Sequence, residues 1–239
     1  MARSSLSGSV EKLSSFPIIV RVNNAKSPHF EKDVEEAVMC RIAAIQIPKV
    51  DGEKEVRSIS ALISTIEKRS GIPKNSVSLV PLIESAASVL SIERIARSSP
   101  RVVGLAFGSG DYALDFGLSW TKEGLEYKAP RMILPIVARA IGLFAIDGVF
   151  MDLDDLTAFM EDSVLSRRIG YQGRMVVHPT QIKPANQAYL PSKEEVLWAN
   201  KVVRVYKKAI SQDIGAVKVD GLLIDELHYK LAQRILSPT

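Results

Sequence analysis

The sequence contains little cysteine and little histidine, and both shortages exclude classes of protein. Cys40 is the one cysteine in 239 residues, so the chain can form no internal disulfide and no zinc site built on several cysteines. The three histidines show no i, i+4 spacing, which argues against a helical zinc-protease site. A single thiol is typical of a reducing compartment, and we expect a cytoplasmic protein.

Long apolar runs and strong charge of one sign are also lacking. The longest apolar stretch, residues 132–150, is interrupted by Pro135, Arg139 and Asp147. The residues after Met1 are polar, so we expect neither a signal peptide nor a membrane span. Lys and Arg number 31 against 27 Asp and Glu, and the basic residues are scattered. We expect no nucleic-acid partner, and a basic nucleic-acid-binding module is the hypothesis that we rank last.

Three catalytic motifs are missing from the sequence. It contains no G-x-S-x-G, no P-loop and no G-x-G-x-x-G after an apolar run. Serine-hydrolase, nucleotide-hydrolysing and dinucleotide-binding functions therefore lack the residues that their chemistry needs.

Short apolar runs rich in Val and Ile alternate with segments of helical period. Runs of this kind predict buried strands, and their alternation with helices predicts a parallel sheet. The six predicted strands are 17–23, 44–49, 78–84, 102–108, 148–152 and 174–179. The predicted helices between them are 33–40, 53–70, 86–98, 130–144 and 154–169.

The spacing of the strand ends, between 26 and 41 residues, is that of βα units in a barrel. Residues 191–239 differ in character: Ser192 and Glu195 form a capping box before a long helix, and a last helix follows Asp225. We therefore predict an α/β fold of the TIM (β/α)₈ type over residues 1–190, with a C-terminal helical extension over 191–239. Six strands are two fewer than such a barrel has.

Acidic residues follow two consecutive predicted strands. Glu84 and Asp111 should meet at the carboxyl ends of the sheet, where two carboxylates with open positions suit Mg²⁺. The alternative is that they are solvated acids or favourable charges at helix N-termini.

Gly108–Asp111 would let backbone approach a ligand closely. Arg21 could hold a carboxylate in a bidentate fork, with Asn23 on the same side.

Other polar residues at the predicted strand ends have less specific interpretations. Lys49 could form a Schiff base, although the sequence contains no sign of the depressed pKa that this requires. Asp152, Asp154 and Asp155 form an acidic patch in which Asp154 or Asp155 could cap the next helix. His178 could be a ligand or an acid, but a hydrogen-bonded structural role is more common.

Several ordered motifs resemble one family. The segments 81–86, 103–112 and 177–182, together with 21–23, 47–49 and 151–153, are similar to the citrate lyase beta-subunit-like proteins. These are the acyl-CoA carbon–carbon lyases of the HpcH/HpaI aldolase superfamily. The similarity runs from about residue 16 to residue 236.

The resemblance implies a function and a site. It implies Mg²⁺ on Glu84 and Asp111, a substrate carboxylate held by Arg21, and a keto-acid site lined by the backbone of Gly110 and Asp111. Asp225 resembles a tail aspartate that reaches a neighbouring subunit's site. The implied reaction is retro-Claisen cleavage of a β-hydroxy acyl-CoA, such as citryl-, citramalyl- or malyl-CoA, by a homotrimer or homohexamer.

The sequence departs from the family at its beginning. Members have two further strands before the arginine strand, and residues 1–16 are expected to contain only a short helix. We therefore expect a barrel without its first two βα units, and slow or absent turnover. The alternative to a lyase is then a lyase-like protein that binds metal and keto acid without turnover.

Overall fold

Six parallel strands in sequential order form the main sheet, β1-β2-β3-β4-β5-β6. The structure, a computed structural model, describes residues 5–13, 15–119, 121 and 124–237. β2 and β4 are buried along their whole length, as expected for apolar runs of a parallel sheet that is covered on both faces. The strands are β1 (Ile19–Arg21), β2 (Ala44–Ile47), β3 (Ser78–Ile83), β4 (Gly104–Phe107), β5 (Phe144–Asp147) and β6 (Gly173–Arg174).

The sheet curves around an apolar interior. Ile45 of β2 is in register with Val20 of β1 and with Leu79 of β3, so neighbouring strands are aligned along their length. Gln46 of β2 donates from Nε2 to the Sδ atom of Met175, which follows β6, over 3.4 Å. Because this contact joins the second strand to the end of the sixth, the sheet is bent as in part of a barrel.

Helices follow the strands, apart from one short helix that precedes β1. Among them α3 buries an apolar stripe at helical spacing. The helices are α1 (Leu6–Lys12), α2 (Phe30–Met39), α3 (Glu53–Arg69), α4 (Ala86–Leu90), α5 (Ile92–Ala96), α6 (Ser109–Asp115), α7 (Lys128–Ile141), α8 (Leu156–Arg168) and α9 (Ile182–Tyr189).

The fifth strand lies earlier than the sequence pattern predicted. We predicted a helix through Phe144 and a strand over 148–152, but α7 ends at Ile141 and β5 covers Phe144–Asp147. Gly142 has φ +81°, a left-handed conformation that ends a helix, and the chain then extends immediately. Asp147, not Asp152, is therefore the last residue of the strand. The predicted helix 86–98 is likewise two short helices, which meet at Ser91.

The chain divides into two compact units, residues 1–186 and residues 187–239. The second unit contains α10 (Lys193–Ile210), an antiparallel hairpin of β7 (Val217–Val219) and β8 (Leu222–Ile224), and α11 (Glu226–Leu236). The predicted capping box of Ser192 and Glu195 is present at the start of α10. The hairpin was missed, because two three-residue strands are too short for a visible alternation. None of the described helices is both long and apolar enough to span a bilayer.

Candidate active site

The carboxyl ends of β2, β3 and β4 bring charged side chains into one cavity. Lys49 follows β2 by two residues, Glu84 directly follows β3, and Asp111 lies in the first turn of α6 after β4. The cavity has a volume of about 270 Å³. Its lining residues are Lys26, Lys49, Asp51, Glu84, Ser85, Asp111, Leu114 and Asp115.

Glu84 is the buried acid of this cavity, with 4% of its surface exposed. Its Oε1 atom accepts a hydrogen bond of 2.5 Å from the backbone N–H of Lys49. Burial and, to a lesser extent, the Asp111 charge raise the pKa of Glu84 to about 7, although the Lys49 N–H and the charges of Lys49 and Arg21 act to lower it. A carboxylate held ionised in such a place requires compensation by positive charge.

Gly108 leaves room for Glu84. A Cβ atom built at Gly108 would lie 2.5 Å from the Cβ of Glu84 and even closer to one of its carboxylate oxygens. No side chain larger than hydrogen fits between the ends of β3 and β4 without moving the acid. Position 108 therefore requires glycine as long as Glu84 keeps this position.

Lys49 contacts both acids of the predicted metal pair. Its backbone N–H holds Glu84, and its Nζ atom lies 3.2 Å from Oδ1 of Asp111. Its φ angle is +55°, a left-handed conformation that is uncommon for a side chain other than Gly, Asn or Asp. The sequence singled out Lys49 only as a possible Schiff-base lysine, and its position at a strand end was the signal for the role seen here.

Arg21 ends β1 and Gly110 precedes Asp111 in α6. Arg21 is exposed, and its charge is close enough to lower the pKa of Glu84. The predicted neighbour Asn23 is engaged elsewhere, since its Nδ2 atom donates over 2.6 Å to Asp33 of α2. The charge of Arg21 thus acts on Glu84, whereas Asn23 is held by the helix that follows.

The outer wall of the cavity is a set of polar contacts that the sequence did not reveal. Ser85 donates from its hydroxyl to Asp51, and the backbone N–H of Ala86 donates to Asp115 over 2.8 Å. Lys26 pairs with Asp51 at 3.7 Å. These residues lie in the segments that follow four different strands, β1 to β4, so only the parallel arrangement of the strands brings them together.

The acidic patch after the predicted fifth strand has a local structural role. Asp155 caps α8 by accepting from the N–H of Ala158, as one of the two interpretations predicted. Asp152 accepts from the N–H groups of Asp154 and Asp155 and shapes the loop. His178 is exposed and caps a short 3₁₀ turn, with Nδ1 at 2.8 Å from the hydroxyl of Thr180.

A strand-end acid that sequence analysis missed is Asp147. It is 1% exposed, and Arg131 of α7 binds it through Nε at 3.0 Å and Nη2 at 2.6 Å. Asp162 of α8 shares the same guanidinium and also pairs with Arg174. Because its hydrogen-bonding capacity is committed to Arg131 and to the N–H of Gly148, Asp147 fastens β5 to α7.

Asp225, the predicted tail residue, caps α11 in the second unit. Its carboxylate accepts from the N–H groups of Leu227 and His228, and it lies 2.7 Å from Nδ1 of His228. The hydrogen bonds from the His228 side chain and backbone hold the pKa of Asp225 below its usual range. The carboxylate is therefore ionised at neutral pH.

The acid pair fits a hard divalent cation. Within the ranges that the structure describes, no cluster of three or more His, Cys, Asp or Glu side chains could enclose a metal. Glu84 and Asp111 offer two carboxylates at an open cavity, and Mg²⁺ is usually held by one or two carboxylates with water or substrate oxygens completing the shell. Burial disfavours the ionised form of Glu84, and a bound divalent cation would stabilise that form.

A curved, six-stranded parallel βα sheet with a charged cavity at the carboxyl ends of its strands places this protein in the class of βα half-barrel proteins. Within that class, a family model described as HpcH/HpaI aldolase/citrate lyase matches residues 2–179. The chain therefore belongs to this family of acyl-CoA carbon–carbon lyases, as the motifs predicted.

Individual relatives agree with this assignment. The citrate lyase subunit beta of Leuconostoc mesenteroides is 29% identical over 92% of this chain and 73% of its own length. The L-malyl-CoA/beta-methylmalyl-CoA lyase of Rhodobacter capsulatus is 31% identical over 91% of this chain and 74% of its own. The CitE protein of Mycobacterium tuberculosis, solved with magnesium, acetoacetate and coenzyme A, has a similar fold. Its TM-score is 0.77 at 23% identity, over 99% of this chain and 82% of that one.

Proposed function

We propose that this protein is a Mg²⁺-dependent lyase that cleaves a β-hydroxy acyl-CoA thioester, such as citryl-, citramalyl- or malyl-CoA. The observation that carries the proposal is the buried Glu84 beside Asp111 in one cavity at the carboxyl ends of β3 and β4. These two residues would hold the metal. The M. tuberculosis CitE protein was solved with magnesium and acetoacetate, which supports magnesium as the metal.

The proposed reaction is a retro-Claisen cleavage. The substrate hydroxyl loses its proton, and the bond between its carbon and the thioester α-carbon breaks. The electron pair remains on the α-carbon as a thioester enolate, which takes up a proton to give the acyl-CoA, and the other product is the keto acid. A bound Mg²⁺ supplies stabilisation of the oxyanion charge that develops during this step.

The residues of this chain would orient the substrate. Arg21 is proposed to bind the carboxylate in a bidentate fork, which makes the alignment of the reacting bond intramolecular. The backbone of Gly110 and Asp111 would line the keto-acid site. Asp225, ionised and supplied by a second copy of the chain, is the proposed proton acceptor. The family resemblance implies only that a tail aspartate at this position reaches a neighbouring subunit's site.

The proposal extends to the assembly. We infer a cytoplasmic homotrimer or homohexamer, and a fold of the eight-stranded barrel type of which residues 1–239 contribute six βα units. The sequential, all-parallel order β1 to β6 and the Gln46–Met175 contact support the barrel. Among the described residues, β1 and β6 form the two edges of an open sheet. This open sheet is the reason for the second candidate, in which the protein binds metal and keto acid without turnover.

The test of the metal site uses Glu84→Gln and Asp111→Asn. Each variant removes one carboxylate and keeps the size of the side chain, so Mg²⁺-dependent binding of pyruvate or acetoacetate should fall at least tenfold, a loss of about 1.4 kcal/mol. Isothermal calorimetry at fixed ionic strength measures it. Asp51→Asn is the matched control, because Asp51 lines the same cavity but engages Ser85 and Lys26. Unchanged Mg²⁺-dependent binding in both variants would overturn the metal assignment.

Turnover distinguishes the two candidates. With malyl-CoA, citramalyl-CoA or citryl-CoA as substrate, release of a keto acid together with a shorter acyl-CoA supports the lyase. Free CoA without keto acid would mean that the thioester is hydrolysed and the carbon–carbon bond is not cleaved. Intact binding with neither product favours the candidate that binds without turnover.

A further inference from the structure

Lys49 is the one lysine of the cavity that contacts both proposed metal ligands. The cavity contains four carboxylates and two lysines, and the second lysine, Lys26, pairs with Asp51 at 3.7 Å. The Lys49 Nζ atom lies 3.2 Å from Oδ1 of Asp111. About half of each of these two side chains is exposed, so the pair can separate at modest cost.

The backbone of Lys49 has a second and independent role. Its N–H donates over 2.5 Å to Oε1 of Glu84, and the residue has φ +55° as the chain turns out of β2. A left-handed conformation costs free energy for a residue with a Cβ and persists where the surroundings maintain it. The backbone conformation of the turn therefore directs the Lys49 N–H to Glu84, independently of the position of the Lys49 ammonium.

We propose that Lys49 is the positioning residue of the acid pair and the built-in counter-cation of Asp111. Its backbone fixes Glu84, and its ammonium neutralises Asp111 until a divalent cation binds and displaces it. Two cations that share Asp111 repel each other, so the ammonium competes with the metal while the N–H favours it. This inference rests on the proposed magnesium site and assigns to Lys49 a role other than Schiff-base chemistry.

Two substitutions at this one position separate the two roles. Lys49→Asn removes the ammonium, but Asn tolerates the left-handed conformation, so the N–H stays on Glu84. Mg²⁺ alone should bind about two- to fivefold more tightly than to the wild type, the range of an exposed ion pair. Lys49→Val also removes the ammonium, but a β-branched residue is strained at this φ and moves the N–H. Its Mg²⁺ affinity should be about tenfold weaker than that of Lys49→Asn.

The measurement is calorimetric titration with MgCl₂ at constant ionic strength, with thermal unfolding followed to establish that each variant is folded. Lys49→Arg keeps the charge and should bind Mg²⁺ as the wild type does. Lys26→Asn is the matched control, because it removes a positive charge from the same cavity without touching Glu84 or Asp111. It should change the affinity less than Lys49→Asn.

The outcomes are separable. If Lys49→Asn binds Mg²⁺ no more tightly than the wild type, or if Lys26→Asn tightens binding equally, the counter-cation role is overturned. Equal affinities of Lys49→Asn and Lys49→Val would overturn the backbone role. If the wild type binds no Mg²⁺, or if both Glu84→Gln and Asp111→Asn bind it as the wild type does, the proposed metal site is overturned together with this inference.

Discussion

Gly108 leaves the space that Glu84 occupies beside the Lys49 N–H. Gly108→Ala would place a methyl group 2.5 Å from the Cβ of Glu84, closer than two carbon atoms can approach. The acid must move away from the Lys49 N–H or the strand end must shift. We expect Mg²⁺ affinity to fall at least tenfold, with a fall in thermal stability typical of an overpacked site, about 1–3 kcal/mol.

A glycine with free space is the control for this prediction. Gly173 of β6 has nothing within 4 Å of the place that a Cβ would occupy, so Gly173→Ala should leave Mg²⁺ affinity unchanged. Calorimetry and thermal unfolding of the two variants make the comparison. Wild-type metal affinity in Gly108→Ala would mean that Glu84 relaxes without cost and that the glycine does not position it.

At the scale of elements, a buried ion pair fastens α3 to the sheet. Arg101 precedes β4 and donates from Nη1 to Glu67 of α3 over 2.8 Å and to the carbonyl of Val77 over 2.9 Å. Glu67 also accepts from the N–H groups of Asn75 and Val77. Burial alone would raise the pKa of Glu67, but the Arg101 guanidinium and the two N–H groups outweigh it and hold the pKa below its usual range.

Glu67→Gln should destabilise the fold in a pH-dependent way. At pH 7 it leaves a buried guanidinium without its counter-charge, which costs about 3–5 kcal/mol. Because the folded pKa of Glu67 is depressed, its contribution is complete above the unfolded value of about 4.3 and disappears as pH falls through the folded value. Urea unfolding should show the same gap between wild type and variant at pH 7 and pH 5, and a gap that begins to narrow at pH 3.5.

The surface pair of Glu35 and Arg69 is the control for this prediction. Both side chains are about half exposed, so Glu35→Gln should cost less than about 1 kcal/mol. A gap between wild type and Glu67→Gln that is equally small, or that does not change with pH, would contradict the role assigned to the buried pair.

At the scale of the whole molecule, the proposed assembly can be tested by measuring its molar mass. Light scattering after size exclusion should give three or six times the mass of one chain. The proposed role of Asp225 requires such contacts, because that residue is supplied by a second copy. Asp225→Asn should then lower turnover while leaving Mg²⁺ affinity intact. A monomer that turns over at the same rate before and after Asp225→Asn would contradict both.

The sequence predicted four of the six strands of the main sheet close to their observed positions, because apolar β-branched runs between polar turns are a local signal. Their order and parallel pairing followed from the alternation with helices. β5 was misplaced, since Gly142 ends α7 by a backbone conformation that apolar patterning does not contain. The sixth strand, predicted over 174–179, covers only Gly173–Arg174. The Ser192 capping box was predicted correctly, because its signal lies within four consecutive residues. The hairpin β7–β8 was not predicted, because its strands are too short to show an alternating pattern.

The sequence by itself determined the family, the parallel βα order and the two acids Glu84 and Asp111 at neighbouring strand ends, all of which are encoded in short segments. Only the tertiary structure decided what surrounds those acids. The Lys49 contacts, the tight approach of Gly108 and the Arg131–Asp147 pair join residues from separate βα units. Such contacts depend on the curvature of the sheet and the path of each loop, which are set by the packing of the whole unit and by no segment alone.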